Sequence, residues 1–530
     1  MQTHEVDVVV VGMGPGGEDV AGSLASAGLS VVGVESHLVG GECPYYGCIP
    51  SKMIIRAADL LAEARRVNAM SGTAVVTPDY SIVADRIRDE ATDDWDDTVA
   101  VDRFTGKGGT FVRGRGALDG AGRVRVGDDV YVATLGVVLA TGTSPALPPV
   151  EGLAAARPWT NRDVFKIRSL PSSLTIMGGG AIGLELAQAL SRFGTKVTVI
   201  EAADRVLAPE EPESSALVAR VLSAEGVTII TGQAAVGVRR DGQVMVELAD
   251  GSSVTSDELL VAAGRAPNVR GIGLDTVGLD ESARPTFTVD DRMRVQGVSR
   301  LWAVGDITGR GSFTHMAVYE AGIAVDDILG VAHPRSAQTH AVSRVTFTDP
   351  EVGSVGLTEA QARAAGLNVR VGVADSSTSS RGWLHGAGNE GLMKLVEDAD
   401  RGALGGERER QIDGRRRLAD AALARGDGDD VLDAGDELDA ALDGMRGDLL
   451  RDVDGHPPGA GELAEIGGDQ LLQDAVLGPG RIAQLDVDGD VAAVDRDLLH
   501  GLAGDEILAG VGIDKSAQAA LDVGLGNDHR

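Results

Sequence analysis

The stretch from Val6 to Glu35, VDVVVVGMGPGGEDVAGSLASAGLSVVGVE, reads as buried strand, glycine turn, helix and second buried strand. An unbroken valine run suits a strand covered on both faces, and the Gly- and Ala-rich segment after it suits a helix packed closely on that strand. Gly12, Gly14 and Gly17 stand at the junction in GxGxxG spacing. Gly12 permits a tight turn, Gly14 lets the backbone approach a pyrophosphate, and Gly17 lets the helix close on the strand. Phosphates would then sit at the positive end of the helix. Glu35 ends the second strand 21 residues beyond Gly14, where a carboxylate can accept hydrogen bonds from ribose hydroxyls. An ordinary glycine turn does not explain an acid at that distance. Glu18 and Asp19 add two carboxylates to the first helical turn, which suits the helix dipole but repels phosphate if they point inward.

The pattern returns at 173–201, SLTIMGGGAIGLELAQALSRFGTKVTVIE, with Gly178, Gly180 and Gly183 in the same spacing and Glu201 at the end of the second strand. Two βαβ units this far apart predict two nucleotide-binding domains. A glutamate at 201 suits the free 2'-hydroxyl of NAD and repels the extra phosphate of NADP, so NADH is favoured.

Between the units lies GGECPYYGCIPSK, residues 40–52, which holds both cysteines of the chain, Cys43 and Cys48. On one continuous helix five residues turn through about 500°, too far for a disulfide, so Cys43 is expected at or before a helix start, with Pro44 at the first helical position. A helix N-terminus also favours thiolate, the reactive species. Zinc lacks further ligands at suitable spacing, and two inert buried thiols would not need the flanking glycines and PSK.

The spacing GGxCxxxGCxPSK after such a βαβ unit resembles the active-site signature of the class I pyridine nucleotide-disulfide oxidoreductases, the family of dihydrolipoamide dehydrogenase, glutathione reductase and mercuric reductase. The resemblance implies an FAD-dependent enzyme that moves electrons between NAD(H) and a small or carrier-linked disulfide or dithiol, most like dihydrolipoamide dehydrogenase. It implies Cys43 as the interchange thiol, Cys48 as the thiol facing the flavin, and Lys52 beside the flavin, paired with Glu185. Tyr45 and Tyr46 replace smaller residues usual between the cysteines. LATGTSPALP with Thr141 and Gly142, Gly116, and LWAVGDI with Asp306 resemble the family's FAD contacts, AAGRAPN with Gly264 resembles their counterpart in the NAD domain, and THMA places His315 near the flavin. Glutathione and mycothiol disulfide reductases are less favoured, the former by Glu201, and the chain lacks the additional cysteine motifs of a mercuric reductase.

The implied fold is α/β: two Rossmann-like dinucleotide-binding domains, an incomplete α+β dimerisation domain, and an acidic tail. The expected boundaries are 1–150 for the first part of the FAD domain, 151–280 for the NAD domain, 281–338 for the second part of the FAD domain, and 339–404 for the partial dimerisation domain. A homodimer is implied by the family. The tail, 405–530, departs from it: residues 407–530 hold 29 acids against 12 bases, 12 − 29 = −17 of the net charge of −32, and no aromatic follows Trp383. Such a composition makes a poor core and favours disorder or marginal helices. Its abrupt onset reads as an out-of-frame continuation of a GC-rich gene. The family's closing His-Pro motif and glutamate find no match: His456 precedes two prolines, but Glu462 is one position off. Without that pair, an NADH oxidase, a diaphorase or a non-catalytic scaffold is the alternative. Asp486, Asp488 and Asp490 have calcium-loop spacing but lack the loop's glycine and closing glutamate.

The acidic balance repels nucleic acid and anionic membranes. No apolar run reaches the length of a membrane span and no basic leader precedes the first strand, so a cytoplasmic protein is expected.

Overall fold

The valine run forms a central strand, β1 (Thr3–Val11), with Val8, Val9 and Val10 wholly buried. A computed structural model describes residues 2–281 and 286–401, with the backbone of Ala403–Leu404, and all of these fall within one unit, Met1–Arg451. The tail features singled out above, from His456 to Asp490, lie outside the described residues. After β1 come α1 (Pro15–Ser26), β2 (Val31–Glu35), α2 (Glu42–Tyr46), α3 (Cys48–Met70), α4 (Tyr80–Arg86) and α5 (Thr98–Gly106). Strands β3 (Thr110–Arg113), β4 (Gly116–Leu118), β5 (Arg123–Val126) and β6 (Asp129–Leu139) complete the first segment. Their sheet runs β3-β2-β1-β6-β5-β4. The first four strands are parallel, with Val8 opposite Val31 and Val137 beside Val9, while β4 and β5 add an antiparallel hairpin.

Strand β7 (Thr143–Pro145) and the short helix α6 (Asn161–Val164) lead into the second unit. It comprises β8 (Ser173–Met177), α7 (Ala181–Arg192), β9 (Lys196–Ile200), α8 (Pro212–Ala224), β10 (Thr228–Ile230), a meander of β11 (Ala235–Asp241), β12 (Gln243–Leu248) and β13 (Ser253–Ser256), and β14 (Glu258–Val261). Its parallel sheet has the order β10-β9-β8-β14, with the meander as a separate antiparallel sheet. The chain then returns to the first unit. Strand β15 (Arg265–Pro267) pairs with β7, and β16 (Leu301–Ala303) joins the first sheet beside β6. Val269, Ile272, Leu274 and Leu279 already pack in the first core, so the return begins near Val269, ahead of the boundary at 281 that the sequence suggests. Helix α9 (Thr314–Leu329) covers α1.

The third segment holds the hairpin of β17 (Ser343–Thr346) and β18 (Val352–Val355), helix α10 (Glu359–Ala364), and the antiparallel pair β19 (Val369–Asp375) and β20 (Leu392–Asp398). Ion pairs fasten it to the second unit. Lys394, 5% exposed, lies 3.1 Å from Glu211 and 2.9 Å from Glu213 and Glu359. Arg344 reaches Glu210 at 2.6 Å, and the buried Arg192 reaches Asp349 at 2.7 Å. No helix among the described residues is long and apolar enough to cross a membrane.

Candidate active site

The two glycine turns are near-copies in three dimensions. Gly12 and Gly178 adopt φ of +96° and +115°, and a Cβ on either would stand 2.4 or 2.3 Å from a backbone oxygen, that of Ala140 or Ala262. A Cβ on Gly17 would meet the Gly12 oxygen at 1.9 Å, and one on Gly183 the Gly178 oxygen at 2.0 Å. The middle glycines differ in kind. Gly14 and Gly180 are extended N-caps with no close neighbour in the way of a side chain, so here the missing Cβ leaves space at a helix N-terminus rather than relieving a clash. That cradle fits a dinucleotide pyrophosphate at both turns.

The strand-end acids lock these turns. Glu35 accepts from the Met13 N–H at 2.8 Å and from the His37 N–H at 2.8 Å. Glu201 accepts from the Gly179 N–H at 2.6 Å and from the Ala203 N–H at 2.8 Å. Each carboxylate is thereby fixed at the mouth of its turn. Glu18 is drawn to Arg103, at 2.9 Å from its Nε, and burial raises the Asp19 carboxyl, opposed by Lys107 and Arg335. Gly178, Gly180, Glu201, Gly264, Arg265 and Asn161 line a cleft of about 570 Å³ in the second unit. Arg205, beyond Glu201, donates to the carbonyls of Leu207 and Ala208 at 3.1 and 2.6 Å.

The cysteine segment departs from a single helix. Glycine 47 breaks it, at φ −138° and ψ −112°, into α2 carrying Cys43 and α3 starting at Cys48. Pro44 is therefore the third residue of a short helix, not the first residue of the long one. The break brings the two thiols within hydrogen-bond reach of each other. A hydrogen bond from Cys43, opposed by burial and joined by Thr314 and Lys52, pulls the Cys48 thiol down to about 6. The same hydrogen bond, with burial, pushes the Cys43 thiol up. Cys48 is thus the stronger acid of the pair. Thr314 Oγ1 lies 3.6 Å from Cys48 Sγ, and sequence reasoning missed it while singling out its neighbour His315. His315 instead sits 3.1 Å from the Ser343 carbonyl and stacks on Phe313.

One turn into α3, Lys52 Nζ lies 3.0 Å from Glu185 Oε2, on α7. Glu185 is 6% exposed and also accepts from the Phe347 N–H at 2.9 Å, and the Phe347 ring lies under the ammonium at 4.2 Å. Lys52 is thereby aimed from two separate segments, α7 and the turn at Phe347. Tyr45 is buried, with its carbonyl accepting from Trp95 Nε1 at 3.2 Å, while the Tyr46 ring faces Arg162 and Lys166.

Asp306 opens the turn after β16 and accepts from Thr143 Oγ1 at 2.6 Å. Thr141 donates to the Asn268 carbonyl at 2.8 Å, and Gly142 and Gly264 take φ of +62° and +117°. Together these loops close the first unit around the crossing of β7 and β15. Gly116 lies in β4, where a Cβ would meet Val11 at 3.0 Å and Val34 at 3.2 Å, so only its backbone can meet a ligand. Among the described residues no group of three His, Cys, Asp or Glu side chains is arranged to hold a metal.

Comparison with known proteins points the same way. A family profile described as pyridine nucleotide-disulphide oxidoreductase matches residues 6–321, and the dimerisation domain of that description matches 342–408. The dihydrolipoyl dehydrogenase of Thermus scotoductus is 33% identical over 451 residues, covering 82% of this chain and 94% of that protein. The Mycobacterium bovis dihydrolipoyl dehydrogenase is 35% identical over 414 residues, covering 76% and 87%. A mutant of the HOCl-induced flavoprotein disulfide reductase RclA from Escherichia coli, solved as a Cu(II) complex, superposes with a TM-score of 0.67 at 25% identity, covering 82% of this chain and 93% of that one.

Proposed function

The chain belongs to the pyridine nucleotide-disulphide oxidoreductase family, as an enzyme that uses FAD and NAD(H), and from that premise we propose that it exchanges electrons with a lipoamide-type disulfide through Cys43 and Cys48. The observation that carries this reading is the Gly47 break, which sets Cys43 and Cys48 at the ends of two helices with Lys52 one turn beyond Cys48, 3.0 Å from Glu185. When bound, FAD supplies two-electron carriage between the nicotinamide and this pair.

The chain's own groups account for the thiol chemistry. Before Cys43 can act as the nucleophile its proton must pass to the Cys48 thiolate, an uphill step because Cys43 is the weaker acid of the two. Cys43 then attacks one sulfur of the substrate disulfide, and the leaving thiolate takes the proton from Cys48 and departs as the first thiol. Cys48, a thiolate again, attacks the Cys43 sulfur and expels the second thiolate, which solvent protonates, leaving the Cys43–Cys48 disulfide. Lys52, held by Glu185 and Phe347, keeps a positive charge next to Cys48 and favours the thiolate throughout. Glu35 and Asp306 are the acids for FAD hydroxyls, and Glu201 the acid for the NAD ribose.

Anaerobic titration with NADH tests the reading. A long-wavelength thiolate–flavin absorbance that forms in the parent and is lost in Cys48→Ser, with NADH-dependent reduction of lipoamide, is expected. Flavin reduction independent of either cysteine, with no disulfide turnover, would instead assign an NADH oxidase or diaphorase.

A further inference from the structure

We propose that Glu42 is a positioning residue that links occupancy of the dinucleotide cleft to the reactivity of Cys43, through an arginine, Arg265, that serves both. Glu42 is the first residue of α2 and the immediate neighbour of Cys43. Its carboxylate gathers three donors from distant parts of the chain. Oε1 accepts from Arg162 Nε at 2.6 Å, and Oε2 accepts from Asn161 Nδ2 at 2.8 Å and pairs with Arg265 Nη2 at 3.3 Å. Asn161, 6% exposed, also donates to the Tyr46 carbonyl at 2.6 Å, so the first and last residues of α2 hang from one amide.

Arg265 is the branch point. Its Nε donates to Thr143 Oγ1 at 2.6 Å and its Nη2 to the Thr143 carbonyl at 2.9 Å, and it stands 4.0 Å from Asp306. It lines the cleft with Gly180 and Glu201, as does Asn161. One guanidinium is therefore within reach of the redox turn, the Asp306 loop and the cleft. A pyrophosphate entering at the N-terminus of α7 brings a second, more highly charged claimant for that guanidinium, because planar forks pair best with phosphate and carboxylate. As Arg265 turns toward it, Glu42 keeps only Arg162 and Asn161, and the hold on α2 beside Cys43 slackens. The effect is reciprocal: whatever loosening the nucleotide causes at Glu42, Glu42 charges against nucleotide affinity by the same factor. This inference rests on the reading that the cleft takes NAD(H).

ADP-ribose is the probe, since it carries the pyrophosphate but no nicotinamide and so moves no hydride. The reduced holoenzyme is alkylated with iodoacetamide, with and without saturating ADP-ribose, and the rate at Cys43 is followed by peptide mass spectrometry; calorimetry gives the ADP-ribose Kd. In the parent, ADP-ribose is expected to speed Cys43 alkylation about fivefold. In Glu42→Gln that response disappears and ADP-ribose binds more tightly by a similar factor, whereas a merely structural clamp would change neither. Arg265→Lys, which keeps the charge but not the fork, also loses the response and guards against misfolding of the first variant. Unchanged response and unchanged Kd in both variants, with ADP-ribose bound to the parent, would overturn the coupling alone. Failure of ADP-ribose to bind the parent would overturn the cleft reading as well.

Discussion

Replacing Lys52 by Met should make Cys48 about a tenfold weaker acid, and the order of the forces on that thiol allows the number to be checked against others. In the parent the thiol is pulled down to about 6, chiefly by the hydrogen bond from Cys43, then by Thr314 and by the charge of Lys52, all against burial. At pH 7 that leaves about nine-tenths of Cys48 as thiolate. A unit charge about 4 Å away is worth about 1 kcal/mol in bulk water and about 4 kcal/mol at an effective dielectric near 20, and the partial exposure of Lys52 places its pull on Cys48 toward the lower end. Since about 1.4 kcal/mol is a factor of ten, Lys52→Met moves the midpoint toward about 7 and halves the thiolate at neutral pH. Cys43→Ala, which deletes the largest contribution, should raise it further, with Thr314→Val between. The assay is the pH dependence of the Cys48 alkylation rate, followed by mass spectrometry, with Lys52→Arg as the control that keeps the charge and should stay near the parent value. Glu185 loses its ion pair in Lys52→Met but keeps the Phe347 N–H, so flavin content must be compared alongside. A Lys52→Met midpoint equal to that of the parent, or above that of Cys43→Ala, would refute this account of the thiolate.

Glycine substitutions should separate the two nucleotide sites. Gly17→Ala, whose methyl would meet the Gly12 oxygen at 1.9 Å, is expected to yield protein with little flavin, and Gly183→Ala, at 2.0 Å from the Gly178 oxygen, to retain flavin while ADP-ribose affinity falls at least tenfold; absorbance and calorimetry read the two. Glu320 is buried against the Gly305 N–H and Thr308, and burial raises its carboxyl to about 7. Because the folded value lies above the unfolded one, its contribution to stability is full below about pH 4.5 and is lost as pH rises through about 7. Glu320→Gln should therefore gain up to about 3 kcal/mol over the parent at pH 8 and much less at pH 5, measured by urea unfolding at each pH. Lys394→Met leaves three carboxylates facing one another and should cost about 1–3 kcal/mol, given their partial exposure, with hydrogen exchange rising first in β20.

What could be read from the residues alone, and what could not, divides by the distance along the chain that the physics must bridge. The glycine turns and their closing acids were legible because a βαβ unit is self-contained: Glu35 and Glu201 each bond a backbone N–H 22 residues earlier, a span set by one strand, one helix and one strand. The break at Gly47 was not, because glycine permits several local paths and the hold on α2 comes from Asn161, 115 residues beyond Tyr46. The early return at Val269 depends on packing against β1 and β6, which the residues near 270 do not encode locally. Glu42 shows the limit most sharply. Read in place it is an acid at a helix start, favourable to the dipole and unremarkable. Only when the fold brings Arg162 and Arg265 to it does the same carboxylate stand between the cleft and the redox cysteine, and nothing within a helical turn of it in sequence could have said so.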